Sequence, residues 1–152
     1  MVEIGEKAPE FELQSDTGET VGLSDFRGQK IVLYFYPKAD TPGCTKQACA
    51  VRDAYPELEA RDAVVVGISP DEPEALQKFR AKHDLPFILL SDPSHEIAEA
   101  YGAWGEKSMY GRKYEGIIRS HFVIDEQGNL VEATRNVKPL STAEVALKIV
   151  KV

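Results

Sequence analysis

Cys44 closes the run Tyr36-Pro37-Lys38-Ala39-Asp40-Thr41-Pro42-Gly43-Cys44, at the junction between a strand-like pattern and a helical one. A cysteine in such a place can be made into a thiolate. The preceding Ile31-Val32-Leu33-Tyr34-Phe35-Tyr36 is short, uncharged and rich in β-branched and aromatic residues, which fits a strand buried on both faces. Thr41-Pro42 reads as N-cap and first helical residue, so the helix presents free N–H groups and the positive end of its dipole beside Cys44. A free cysteine with a pKa of about 8.5 is only a few per cent thiolate at neutral pH, whereas one lowered toward roughly 6 is mostly ionised. Only the second is a fast nucleophile.

On the helix that follows, Cys44, Ala48, Val51, Tyr55 and Leu58 fall at helical spacing and share one buried stripe. Cys49 lies about 100° around the helix from Ala48 and is expected to be less deeply placed. In an intact helix, residues five apart have Cα atoms roughly 8–9 Å apart, beyond the ~7 Å limit for a disulfide. If these two thiols pair, the first turns must unwind. Pro56 is expected to kink the later part of the helix. Plainer readings stand beside these. A buried cysteine is often a small hydrophobe, the default for Cys49 taken alone, and Thr41 can be an N-cap and nothing more. The Cys44-x4-Cys49 spacing is not that of a zinc site, and His83, His95 and His121 fall in separate elements. There is no Cys-x-x-Cys for dithiol exchange, and no local signature supplies the base of a cysteine hydrolase.

The elements that position Cys44 alternate strand and helix. Ile31–Tyr36, a helix from about Pro42 to Ala60, and the strand Ala63–Ile68 make a βαβ unit with parallel strands, whose functional edge lies beyond the strands' carboxyl ends. Upstream, Phe11-Glu12-Leu13 and Val21-Gly22-Leu23 flank Asp16-Thr17-Gly18 as a β-hairpin, and Ser24–Gly28 reads as a brief helical turn. Downstream, Asp71-Glu72-Pro73-Glu74 has capping-box spacing and opens a helix to about His83. Phe87–Leu90 reads as a strand and Ser94–Tyr101 as a short helix. Gly102–Gly116 has four glycines and no period, and is read as a long surface loop. Ile117–Asp125 and Leu130–Thr134 form a terminal hairpin, and Ser141-Thr142-Ala143-Glu144 caps a last helix. The expected architecture is one α/β domain over residues 1–152, with a mixed central sheet.

Composition narrows the function classes. The 152 residues are 43% apolar and 28% charged, enough for a single packed core. A net charge of −7 and a pI near 5.0 argue against nucleic acid or an anionic membrane as the main partner, since both need a basic face. No apolar run approaches the ~18 residues of a spanning helix, and no basic start leads into an apolar stretch. The expected location is the cytoplasm, where two cysteines serve as free or redox-active thiols rather than as a structural staple.

Pro37-x3-Thr41-x2-Cys44 resembles the active-site motif of the peroxiredoxins. The longer run Tyr34–Cys49 is similar to the bacterioferritin comigratory protein, or peroxiredoxin Q, branch. The similarity extends through Asp16-Thr17-Gly18, Leu23–Phe26, Arg119-Ser120 and Phe122–Gly128, nearly the whole chain. It implies a thioredoxin-like fold with an added N-terminal β-hairpin, and a thiol peroxidase that needs no metal, haem or flavin. By resemblance, Cys44 is the peroxidatic cysteine, Cys49 the resolving one, Thr41 the hydroxyl that orients peroxide, Pro37 a shielding wall and Arg119 the cation near the thiolate. The cycle implied runs through a Cys44 sulfenic acid and a Cys44–Cys49 disulfide, recycled by thioredoxin or glutaredoxin. A monomer is expected, because no swapped C-terminal segment carries the resolving thiol. His121 departs from the threonine of many relatives; strand alternation puts it on the face of Arg119, and it is left outside the catalytic set. A redox-sensing module and a thiol–disulfide oxidoreductase using the same cysteine pair remain the alternatives.

Overall fold

The computed structural model describes residues 2–150. In chain order its strands are β1 (Glu12–Ser15), β2 (Thr20–Gly22), β3 (Lys30–Phe35), β4 (Ala63–Ser69), β5 (Ile88–Ser91), β6 (Trp104–Met109), β7 (Arg112–Ile117), β8 (Ser120–Ile124) and β9 (Leu130–Arg135). The helices are α1 (Pro42–Ala60), α2 (Pro73–His83), α3 (Glu96–Tyr101) and α4 (Ser141–Val150), with a 3₁₀ turn at Leu23–Phe26. Seven strands form one sheet in the order β2-β1-β5-β4-β3-β8-β9. Its β3/β4 and β4/β5 pairs are parallel and the others antiparallel, so the sheet is mixed, as a parallel βαβ part joined to a terminal hairpin predicts.

Side-chain alternation along β3 divides the core into two layers. Val32, Tyr34 and Tyr36 pack with Val51, Tyr55 and Leu58 of α1, Leu76 and Phe79 of α2, and Ala143 and Ala146 of α4. Ile31, Leu33 and Phe35 pack on the opposite face with Val66, Ile68, Tyr101 and Phe122. Burying β3 on both faces fixes its register in the middle of the sheet, and its end launches the chain toward α1. Among the described residues, no helix is long and apolar enough to cross a membrane.

Three local expectations need correction. Gly102–Gly116 is not a loop, since β6 and β7 pair over its length as a separate two-stranded ribbon. Tyr110 (φ 53°) and Gly111 (φ 78°) form its tight turn, both left-handed, as a two-residue hairpin turn requires. Most of the ribbon is solvent-exposed, so neither of its faces carries the apolar alternation that marks a half-buried strand. Next, the strand expected over Ile117–Asp125 is divided: Ile117 ends β7, Ser120 begins β8, and Arg119 sits in the connection. Strand alternation therefore does not relate Arg119 to His121. Lastly, Asp71 does not cap α2, whose N-cap is Glu72 with no side-chain hydrogen bond. The Asp71 carboxylate instead accepts from the Ala39 N–H at 2.7 Å and from Ser69 Oγ at 2.7 Å. It thereby pins the loop that leads into α1.

Candidate active site

The β3–α1 loop is held from several sides before it reaches Cys44. Tyr36 N–H donates to Ile68 O, and Asp71 secures Ala39. Lys82 Nζ donates to Asp40 at 2.9 Å, and His83 approaches the same carboxylate, together holding its pKa below the ordinary carboxylate range. Asp40 itself has φ 61°, a left-handed turn that an aspartate tolerates and that redirects the chain into the helix. These fixed points determine where the first turn of α1 begins.

Thr41 occupies the N-cap position, as expected, with extended φ/ψ, but its side chain makes no cap hydrogen bond. Thr41 Oγ1 donates instead to Lys38 O at 2.7 Å. The first intrahelical bond runs from Thr45 N–H to Thr41 O. Pro42 has no N–H, so the donors that this geometry leaves at the helix head are those of Gly43 and Cys44. An anion beside Cys44 meets those N–H groups and the positive end of a 19-residue helix.

Arg119 completes the charge arrangement from the other side. Its Nη2 donates to Cys44 Sγ at 3.4 Å, and its Nη1 to Gln47 Oε1 at 2.6 Å. The main chain around it is braced by Ile118 N–H to Ala103 O and Val137 N–H to Arg119 O, each at 2.8 Å. Gly43 makes room for the guanidinium, because a Cβ there would stand 3.0 Å from Arg119 Nη2. Cys44 is 1% exposed, so only a small reacting group reaches its sulfur. Cys49 is half-buried one turn further on, and both thiols are free. The buried stripe holds Cys44, Ala48, Val51, Tyr55 and Leu58, as the spacing predicts, and Gln47 joins it.

Pro37 and Arg119 line a groove of about 570 Å³ together with Glu106, Lys107, Ile118 and Val137. The structure thus brings Cys44 and Arg119 into contact and puts Pro37 on the groove wall, with Thr41 at the helix head. Two neighbours escaped the sequence reading. Gln47 looks like an ordinary polar residue of a surface helix, and Lys107 belongs to the stretch read as a loop. Burial, with the positive charge of Arg119, lowers the pKa of Lys107, while Cys44 acts in the opposite sense.

A thiol held at a helix head by a guanidinium, on a sheet of this thioredoxin-like order, defines a class of thiol-based redox enzymes. Comparison with known proteins carries the assignment further. Residues 4–133 match the AhpC/TSA family. Peroxiredoxin Bcp of Bacillus subtilis is 50% identical over 150 residues, covering 99% of this chain and 96% of the relative. The crystal structure of a cysteine-to-serine mutant of PrxQ from Xylella fastidiosa superposes with a TM-score of 0.92 at 34% identity, covering 99% of this chain and 96% of that one. The bacterioferritin comigratory protein of Xanthomonas campestris, described for its alkyl peroxide reduction activity, gives a TM-score of 0.86 at 33% identity, covering 93% and 90%. The chain belongs to the AhpC/TSA family, and it is a thiol-dependent peroxidase of the peroxiredoxin type.

Proposed function

We propose that Cys44 is the peroxidatic residue, Cys49 the resolving residue, and that Arg119, Thr41 and Pro37 complete the peroxide site. The observation that carries this reading is the 3.4 Å contact from Arg119 Nη2 to Cys44 Sγ at the head of α1. The cation and the helix end both favour the anionic sulfur. In the first step Cys44 sulfur attacks the nearer peroxide oxygen, an S–O bond forms, and the O–O bond breaks. The departing oxygen takes a proton and leaves as water or an alcohol, and the sulfur, oxidised by two electrons, becomes a sulfenic acid. Negative charge developing on the peroxide oxygens meets Arg119 and the helix-head N–H groups. The Thr41 proton is committed to Lys38 O, so its oxygen is free to accept the hydroperoxide O–H and aim the O–O bond.

In the second step Cys49 thiolate attacks the Cys44 sulfur, the S–O bond breaks, the departing hydroxide takes up a proton and leaves as water, and a disulfide forms. α1 is continuous from Pro42 to Ala60, so this step requires the helix head to unwind. A dithiol reductant, thioredoxin or glutaredoxin, then returns both thiols. The partly apolar groove walls of Pro37, Ile118 and Val137 support organic hydroperoxides as substrates beside hydrogen peroxide, as does the activity of the Xanthomonas relative. A monomer, working as one domain in the cytoplasm, is part of the same proposal; sedimentation and cell fractionation test it.

The decisive experiment mixes reduced protein with one equivalent of hydrogen peroxide, quenches within about a second, and maps oxidation by intact and peptide mass. The expected product is a two-hydrogen loss localised to Cys44–Cys49, replaced in Cys49→Ser by a sulfenic acid on Cys44. Thiols still reduced after minutes would overturn the assignment and favour a thiol–disulfide oxidoreductase.

A further inference from the structure

Behind the Arg119–Cys44 contact runs a buried chain of hydrogen bonds that the peroxide chemistry itself does not use. Arg119 Nη1 donates to Gln47 Oε1 at 2.6 Å, Gln47 Nε2 donates to Thr142 Oγ1 at 2.9 Å, and Thr142 Oγ1 lies 3.0 Å from His121 Nδ1. Gln47 and Thr142 are 0% exposed and His121 is 1% exposed. The chain ties the Arg119 connection to α1, α4 and β8.

Its polarity follows from the donors available. A guanidinium can only donate, so Gln47 must turn its carbonyl oxygen toward Arg119 and its amide nitrogen toward Thr142. Thr142 oxygen accepts that bond and still carries a proton that it can donate to His121 Nδ1. In that arrangement His121 is neutral with its proton on Nε2; burial favours the neutral ring against the pull of Glu132. His121 Nε2 has no hydrogen-bond partner among the described residues. Nδ1 is the ring atom through which His121 joins the chain, and an apolar side chain in its place would leave Thr142 without that partner.

We propose that Thr142 and His121 are positioning residues that hold the enzyme in its peroxide-reactive form. Through Gln47 they keep the guanidinium against Cys44 Sγ and keep the head of α1 wound. The proposal rests on the reading of Cys44 and Cys49 as peroxidatic and resolving thiols. Gln47 lies between those cysteines, so unwinding residues 44–49 must release it from Arg119 and Thr142. The same chain therefore favours the first chemical step and opposes the second.

The test measures the two steps separately by quenched flow and mass. Sulfenic acid formation is followed in a Cys49→Ser background, and disulfide formation is followed with Cys49 present after one equivalent of hydrogen peroxide. Thr142→Val and His121→Leu should slow the first step and speed the second, each roughly fivefold, the worth of about one ordinary hydrogen bond. Thr142→Ser and His121→Asn, whose Oδ1 can stand in for Nδ1, should stay near the parent in both. Rates matching the parent in Thr142→Val and His121→Leu would overturn the proposal, as would slowing of both steps together, which is the mark of general loosening. If the parent itself forms neither Cys44 sulfenic acid nor the disulfide, it is the underlying assignment that fails.

Discussion

Replacing Arg119 with methionine removes the guanidinium but keeps much of the side chain's bulk. At the 3.4 Å separation of Nη2 and Sγ, a unit charge pair is worth about 1 kcal/mol with water-like screening and about 5 kcal/mol at an effective dielectric of ~20. Arg119 is only half-buried, which moves the pair toward the lower end, and about 1.4–2.8 kcal/mol is the reasonable span. At 1.36 kcal/mol per decade, Arg119→Met should slow sulfenic acid formation roughly ten- to a hundredfold near neutral pH. That loss reflects the positive charge removed from beside the sulfur and from beside the peroxide oxygens, whose negative charge grows in the transition state. Arg119→Lys retains the charge but cannot fork between sulfur and Gln47, and should fall between methionine and the parent. The assay is quenched-flow mass detection in Cys49→Ser, repeated across pH. A rate within about threefold of the parent at every pH would refute the electrostatic argument, because even fully screened charges at this distance are worth about 1 kcal/mol.

Three further outcomes follow from the geometry. Gly43→Ala puts a Cβ 3.0 Å from Arg119 Nη2 and should slow the peroxide step several-fold, while calorimetry finds stability unchanged or raised by up to ~1 kcal/mol, since alanine is the better helix residue. An unchanged peroxide rate would mean that the guanidinium shifts without losing the sulfur. Burial lowers the pKa of His121 in the folded protein, so below the ordinary value of about 6.5 the unfolded chain binds the proton more readily, and stability falls as pH drops from there toward the folded value. Urea titrations from pH 7.5 to 5 should find that slope flattened in His121→Asn, and equal slopes would contradict it. Arg80 Nη1 donates to both Asp16 carboxylate oxygens at 3.1 Å, and the Asp16 side chain is 6% exposed against 31% for Arg80. Arg80→Ala should therefore destabilise by about 3 kcal/mol, more than the ~1–2 kcal/mol of Asp16→Ala, because the first strands a buried carboxylate and the second leaves a guanidinium that water can reach.

What the sequence discloses and what it conceals divide along one physical line. The β3–α1 junction was legible because each of its signals is local: an apolar run of strand length, a threonine and proline at the helix start, and a stripe at helical spacing that fixes which residues face the sheet. Arg119 was reached only through family resemblance, since its supposed strand setting gives way to a connection between β7 and β8 whose position depends on distant main-chain bonds to Ala103 and Val137. The β6–β7 ribbon went unread for the opposite reason. It pairs with itself, away from the sheet, and buries too little to impose a period-2 pattern, yet it contributes Glu106 and Lys107 to the groove wall. Gln47, Thr142 and His121 lie far apart in sequence, and nothing in the chain marks them as a group until α4 packs against α1. His121 was visible as a departure from its relatives and was linked to Arg119 by an alternation that the fold does not contain. The connection exists all the same, through side chains. A histidine buried between Ser120 and the apolar Phe122-Val123-Ile124 was the signal, and its meaning required knowing which helix would lie across it.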